Sequence, residues 1–105
     1  MFGASYSAKV RFEWDPNKNH ENQQKHGISF EQASGLFKGE GDYFEIYDFE
    51  HSDEEDRFIA IGAIVDGVLV VVFTEREEDL IRIISARPAT PREVRMYQSY
   101  MERES

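Results

Sequence analysis

The sequence contains no cysteine among its 105 residues. The chain can therefore form no disulfide, supply no thiolate to a metal ion and use no thiol nucleophile. Long apolar runs are also missing, because the longest, Val68–Phe73, is far shorter than the roughly 20 residues of a membrane-spanning helix. Residues 1–8 lack the basic and apolar regions of a signal peptide. These absences predict a cytoplasmic protein that makes no contact with a membrane.

Basic residues are scarce as well, and the formal net charge is −9. Nine acids without an intervening Lys or Arg account for the whole imbalance: Glu40, Asp42, Glu45, Asp48, Glu50, Asp53, Glu54, Glu55 and Asp56. The segment from Leu80 to Tyr97 is locally basic, with four arginines and one glutamate. A chain polarised in this way can still present a positive surface to the phosphates of a nucleic acid.

The length fits one domain, which we place at residues 9–105, after a separate N-terminal extension over residues 1–8. Lys9–Trp14 alternates like a short strand. A helix is predicted over Pro16–His26, where Asp15 is the N-cap and Gly27 the C-terminal stop. This helix has no apolar residue after Pro16, which is typical of a solvated helix or a contact surface.

A second helix is predicted from a capping box formed by Ser29 and Gln32. The acidic segment contains aromatic residues between Tyr43 and Phe49 and is predicted to be an edge strand. Two strands then form a hairpin around Asp66-Gly67, a pair that favours a type I′ turn. A further strand over Leu80–Arg87 and a C-terminal helix capped by Thr90 complete an α+β fold. Its antiparallel meander carries apolar residues on both faces, so both faces should be covered.

The first helix carries the earliest candidates for chemistry. Lys18, Asn22 and Lys25 share one side of it, and His26 lies at its C-terminal end, where the helix dipole favours the imidazolium form. Capping of the helix by His26 is an equally good interpretation.

Five blocks of the sequence resemble the BrnT family of toxins from bacterial type II toxin–antitoxin pairs. They are FEWDPNK (Phe12–Lys18), NQQKHGISFEQA (Asn22–Ala33), RFIAIG (Arg57–Gly62), LVVVFTER (Leu69–Arg76) and the segment from Ile81 to Glu93, which begins IRIISARPAT. The resemblance implies a RelE-like fold, metal-independent endoribonuclease activity and neutralisation by an antitoxin of the ribbon-helix-helix type. DNA would then be contacted only through the antitoxin.

RNA can be cleaved by its own 2′-hydroxyl, so the protein needs to supply only a base, an acid and fixed positive charge. Arginine suits the last role, because it is permanently charged and binds phosphate through two nitrogens. Arg57, Arg82 and Arg87 are the candidates that fall in the matching blocks. In a regular strand Arg82 and Arg87 would point to opposite faces, so either a bulge or an end of the strand before Arg87 is needed to aim both at one site.

Six other side chains complete the set of candidates. His26 and Glu75 are candidates for proton transfer, and Tyr97 is a weaker candidate acid. Lys18, Lys25 and Arg76 are candidate substrate-binding residues. We expect no cofactor and no metal ligand.

Two alternatives to a ribonuclease remain open from the sequence. The first is a non-catalytic module of the same fold that binds a partner through its acidic segment. The second is a hydrolase of small phosphate esters, which is less favoured because no cluster of metal ligands is evident.

Overall fold

The computed structural model describes residues 10–39 and 42–104. The predicted extension over residues 1–8 lies outside the described residues, whereas the predicted order of elements is confirmed. The strands are β1 (Arg11–Glu13), β2 (Tyr43–Tyr47), β3 (Phe58–Ile64), β4 (Gly67–Glu77) and β5 (Leu80–Pro88). The helices are α1 (Pro16–His26), α2 (Phe30–Ser34) and α3 (Pro91–Glu104), and short 3₁₀ helices follow α2 (Gly35–Phe37) and β2 (Phe49–His51).

The five strands form one sheet in the order β1-β5-β4-β3-β2. Strands β2 to β5 make the predicted antiparallel meander, and β2 lies at the edge as expected. Strand β1 differs, because it pairs in parallel with β5, Arg11 opposite Leu80. The α+β fold with two N-terminal helices and one C-terminal helix is therefore confirmed.

The predicted type I′ turn between β3 and β4 is wrong. Ile64 pairs with Gly67, so the two central turn residues are Val65 and Asp66. Neither of them has the positive φ that a type I′ turn requires at both central positions, and Gly67 takes it instead (φ 132°).

One side of the sheet, called the packed face here, is covered by α2 and the 3₁₀ helix that follows it. Phe30 and Leu36 are fully buried there, and Phe37 packs edge-on against Phe73 at 4.9 Å between ring centroids. The 3₁₀ helix approaches the sheet so closely that a Cβ on Gly62 would lie 2.8 Å from Cδ1 of Leu36. This face holds the main hydrophobic core.

The opposite side is called the open face, and α3 covers only part of it. Helix α3 packs on β2 and β3, and the rings of Phe44 and Tyr100 lie 5.2 Å apart. Ile61 and Val70 are buried on this side, whereas Ile59 and Val72 remain half-buried. The expectation that both faces are covered therefore holds only in part.

Helix α1 is attached to β5 by a polar side chain. Its ends are those predicted, since Asp15 accepts a hydrogen bond from the Asn17 backbone N–H and Gly27 adopts φ 71°. The buried Asn22 amide donates to the carbonyls of Ile28 (2.9 Å) and Ala86 (2.7 Å), and its oxygen accepts from the Ala86 N–H at 3.3 Å. The helix without an apolar stripe is thus held by hydrogen bonds rather than by hydrophobic burial.

Candidate active site

A β-bulge in β5 directs two of the candidate arginines to the same face. Val72 pairs with Ser85 and Phe73 pairs with Ile83, so Ile84 is the extra residue. Because the bulge resets the alternation of side chains, Arg82 and Arg87 both lie on the open face. Their partners on β4 are four residues apart, so the Cα atoms of Arg82 and Arg87 lie about 13 Å apart along the strand.

Arg82 belongs to a network of charges at one end of the open face. Its Nη1 donates to Glu13 Oε2 at 3.0 Å, from the residue paired with it on β1. Arg76 lies 3.6 Å from the same carboxylate and 3.7 Å from Glu55. Arg82 and Arg76 are therefore brought together, and the carboxylate between them is Glu13 rather than Glu75.

A cleft of about 360 Å³ opens on the same face beside this network. Half-buried apolar side chains of three strands line it together with Ser85 and part of the segment after β2. Its lining residues are Asp48, Glu50, His51, Arg57, Ile59, Val72, Ile84 and Ser85. Of the arginines predicted from the sequence, Arg57 is the one that lines this cleft.

Arg57 has a buried guanidinium nitrogen, Nε, that lacks a hydrogen-bond partner within residues 10–39 and 42–104. Four acids directly precede Arg57 in the sequence, but none of them forms an ion pair with it within those ranges. A buried donor without a partner is costly, and it gains most from a ligand that accepts its hydrogen bond.

His51 borders the same cleft as Arg57 and is oriented by Asp48. The imidazole Nδ1 lies 2.9 Å from Asp48 Oδ2 and 3.1 Å from Oδ1. Since a carboxylate can only accept, Nδ1 carries the proton in this hydrogen bond and Nε2 is left for proton transfer. The Asp48 side chain is 11% exposed and the His51 side chain 62%, so the exposed group is held by the more buried one.

Arg87 is engaged in a structural contact at the start of α3. Its two terminal nitrogens donate to Glu93 at 2.7 and 2.8 Å. This bidentate hydrogen bond lowers the pKa of Glu93 from 4.5 to about 2 and raises the pKa of Arg87. Glu93 also accepts from the Thr90 N–H, which confirms the predicted capping box. Arg87 therefore joins β5 to α3.

The remaining candidates lie away from the cleft. Glu75 pairs with Ile81, and alternation directs its side chain to the packed face. There it raises the pKa of Tyr43, after the larger effects of burial and of Glu45. His26 makes no hydrogen bond or ion pair with the described residues, and Lys18 and Lys25 are exposed on the same helix α1.

Tyr97 is placed on α3 over the end of β3. Burial raises its pKa, as does Asp42 to a smaller extent, while a hydrogen bond with the backbone of Ala63 opposes both effects. Tyr97 does not line the cleft.

Sequence reasoning missed His51, Asp48 and Glu13. The spacing of three between Asp48 and His51 was the available signal, since it fits one helical turn. It stood among nine acids and was interpreted only as part of an edge strand. Glu13 gave no local signal, because its partner Arg82 is 69 positions away.

In the described part of the chain, no three His, Asp or Glu residues are arranged to hold a metal ion. The same residues include no helix long and apolar enough to cross a membrane.

Comparison with solved structures identifies the class of fold. The crystal structure of the ribonuclease toxin BrnT from Brucella abortus superposes with a TM-score of 0.59, at 24% sequence identity. The match covers 78% of this chain and 99% of that one. At this identity the likeness concerns the fold alone.

The sequence itself gives the family. Residues 14–93 match the family model described as "Ribonuclease toxin, BrnT, of type II toxin-antitoxin system". The chain therefore belongs to the BrnT family of ribonuclease toxins, whose substrate is RNA and whose partner is an antitoxin. Comparison with curated protein sequences gives no match.

Proposed function

We propose that this toxin cleaves RNA without a metal ion, by attack of the substrate's own 2′-hydroxyl, in the cleft between Arg57 and His51. The observation that carries the proposal is the buried, unpartnered Nε of Arg57 in a cleft that is also lined by His51, whose imidazole is oriented by Asp48. One group supplies fixed positive charge and the other can transfer a proton, which are the two requirements set by the reaction.

The reaction can be balanced on these side chains. His51 Nε2 takes the proton of the 2′-hydroxyl as the 2′-oxygen bonds to phosphorus. The guanidinium of Arg57 stabilises the pentacovalent phosphorane by donating hydrogen bonds to its negatively charged oxygens. The bond from phosphorus to the 5′-oxygen then breaks, and His51 returns its proton to that oxygen. The products are a 2′,3′-cyclic phosphate and a 5′-hydroxyl.

Arg82 and Arg76 have a supporting role in this proposal. Register places Arg57 opposite Thr74 and Arg82 on the other side of Thr74, so Arg57 and Arg82 are two strand spacings apart, about 10 Å. Glu13 holds both supporting guanidinium groups, which can attract the phosphates next to the one that is cleaved. The roles of Arg87, His26, Glu75, Lys18 and Lys25 remain predictions from the sequence.

Two substitutions in the cleft test the mechanism. We expect Arg57→Lys and His51→Gln each to lower single-turnover cleavage about 10²-fold, because one removes bidentate charge and the other the proton carrier. Arg57→Lys should unfold close to wild type, because Arg57 makes no ion pair with the described residues. His51→Gln loses the contact with Asp48, which should cost at most about 1 kcal/mol because the imidazole is 62% exposed.

The other two histidines are matched controls for His51→Gln. His20→Gln changes an exposed residue of α1 and should cleave as wild type does. His26→Gln tests the histidine that the sequence analysis proposed for proton transfer. If His26→Gln abolishes cleavage and His51→Gln does not lower it, the active site lies at α1 and not in the cleft. Cleavage should survive EDTA and leave cyclic phosphate ends, and its loss on chelation with recovery in Mg²⁺ would contradict the proposal.

The antitoxin that neutralises the toxin is proposed to be a ribbon-helix-helix protein with a basic toxin-binding segment. The acidic segment after β2 supports this, because its charge attracts a basic partner. Phe49 supports it as well, since it is 83% exposed next to the ring of Tyr47, and exposed aromatic residues are enriched at interfaces.

Titration calorimetry with the protein encoded next to the toxin gene tests the partner. We expect binding at low salt that weakens as salt is raised, and weaker binding by Phe49→Ser. Absence of binding at any salt concentration would contradict the proposal.

A further inference from the structure

A second, larger groove lies on the open face between β2 and α3, with a volume of about 730 Å³. Its walls combine arginines with apolar and aromatic side chains. The lining residues are Phe44, Glu45, Arg92, Arg95, Met96, Ser99, Tyr100 and Arg103. No residue of this groove belongs to the cleft that contains Arg57 and His51.

Three arginines of the groove form one stripe along α3. Arg92, Arg95 and Arg103 follow the helical spacing that places side chains on one side, with Ser99 between them. Within the described ranges none of the three makes an ion pair or a side-chain hydrogen bond. This distinguishes them from the arginines of the sheet at positions 76, 82 and 87, each of which has a carboxylate partner.

The stripe is a positive surface on a chain whose net charge is −9. Because the whole molecule repels polyanions, binding of a phosphate chain requires such a local concentration of guanidinium groups. The charge of the stripe is therefore complementary to RNA. It is less suited to the basic antitoxin segment proposed for the acidic surface.

The floor of the groove suits an unstacked base. The rings of Phe44 and Tyr100 are 5.2 Å apart and inclined by 35°, and Met96 beside them is 39% exposed. Single-stranded RNA is held by stacking of its bases on such rings while arginines contact its backbone. Glu45 on the edge strand β2 is the one acid among these lining residues, and it also raises the pKa of Tyr43 after the larger effect of burial.

The groove and the cleft are adjacent. Phe44 pairs with Ile61, and two residues further Ile46 pairs with Ile59, which lines the cleft. Two residues along a strand span about 7 Å. A single strand whose scissile phosphate lies in the cleft can therefore continue over Ile46 into the groove.

We propose that the groove between β2 and α3 is a subsite for nucleotides next to the cleavage point. Phe44 and Tyr100 stack on a base there, and Arg92, Arg95 and Arg103 hold the flanking phosphates. The inference rests on the proposed function, because it places the scissile phosphate beside Arg57. It implies that the toxin binds single-stranded RNA better than a duplex, whose bases cannot reach the rings.

Equilibrium binding of an uncleavable RNA tests the subsite independently of catalysis. The probe is a fluorescent single-stranded RNA with a 2′-deoxy substitution at its cleavage site, followed by anisotropy from low to moderate salt. Arg95→Gln and Arg103→Gln should each lower the salt slope of log K by about 0.7, and the double variant by about twice that. Phe44→Leu, which keeps an apolar side chain, should weaken binding by about fivefold or more at any salt concentration.

Lys38→Gln is the matched control, because it removes one positive charge from an exposed residue outside both the groove and the cleft. Its salt slope should equal that of the wild type. Equal slopes for Arg95→Gln and wild type would overturn the subsite.

Other outcomes separate the subsite from its premise. If the α3 variants bind RNA normally but lose the antitoxin, the groove is an antitoxin surface and the inference is overturned. If the wild type cleaves the all-ribose substrate and His51→Gln does not, while the α3 variants bind the probe normally, the proposed function stands and the subsite fails. If the wild type cleaves nothing, the proposed function itself fails.

Discussion

The two faces of the sheet are built from alternate residues of the same strands, yet they differ in how they are covered. On the packed face, Val71 and Phe73 are fully buried beneath α2 and its neighbouring 3₁₀ helix. On the open face, Val72 is half-buried and Thr74 is followed by the exposed Arg76. One face supplies the hydrophobic burial that stabilises the fold, and the other keeps charged groups accessible.

The arginines show what this division allows. Arg76, Arg82 and Arg87 are held by carboxylates, which fixes their positions but reduces their net charge. Arg57 and the stripe on α3 have no such partner within the described residues, and we assign the contacts with phosphate to them. On this acidic protein we therefore expect RNA to bind at the arginines that have no carboxylate partner, and not at every arginine.

The largest expected effect on stability concerns Asn22, which attaches α1 to β5 by hydrogen bonds and not through the hydrophobic burial that distinguishes the two faces. Asn22→Ala removes three hydrogen bonds and leaves the N–H and C=O of Ala86 without a partner in a buried place. Each such unpaired group costs roughly 1–3 kcal/mol, so we expect the free energy of unfolding, measured in urea, to fall by about 3 kcal/mol. Gln24→Ala, an exposed change on the same helix, should stay within about 0.5 kcal/mol of wild type. Equal losses in the two variants would show that α1 is not anchored by Asn22.

The sequence was sufficient where a structure is encoded by neighbouring residues. The pairs Ser29–Gln32 and Thr90–Glu93 form the predicted capping boxes, and α1 begins and ends at the predicted residues. These signals depend on hydrogen bonds between residues within one turn, so no knowledge of the fold is needed.

Contacts between distant segments could not be predicted in this way. The parallel pairing of β1 brings Glu13 to Arg82, and the amide of Asn22 binds a backbone 64 residues away. A bulge between Arg82 and Arg87 was one of two arrangements expected from the sequence, but its position at Ile84 depends on the register with β4. The pair of Asp48 and His51 is local, yet its meaning depends on Arg57, which lines the same cleft.

Two adjacent valines of β4 test the difference between the faces directly. Val71→Ala removes methyl groups from the packed face, and Val72→Ala removes the same groups from the open face. Full burial of a valine contributes about 1.5–3 kcal/mol, so Val71→Ala should lower the free energy of unfolding by about 2 kcal/mol. Val72→Ala should cost roughly half as much, because its side chain is already partly in water. Equal losses in the free energy of unfolding would mean that the open face is packed as well as the packed face. A partner that covers the cleft would then have to be identified.

The smallest expected effect concerns the contact that joins the open face to α3. The pKa of Glu93 is lowered in the folded state from 4.5 to about 2 by its hydrogen bonds with Arg87. A carboxyl group with a lowered pKa stabilises the fold fully above its unfolded pKa, and this contribution disappears as the pH falls from about 4.5 towards 2. Because the Arg87 side chain is 40% exposed, solvent screening limits the contribution to about 1 kcal/mol. Glu93→Gln should therefore be about 1 kcal/mol less stable than wild type at pH 7, and the stabilities of the two proteins should converge near pH 2.

Urea unfolding of both proteins at several pH values measures this difference in stability, with Glu21→Gln on α1 as a control that removes an exposed carboxylate. A difference that stays constant down to pH 2 would show that Glu93 acts only as a helix cap, with no contribution from its charge.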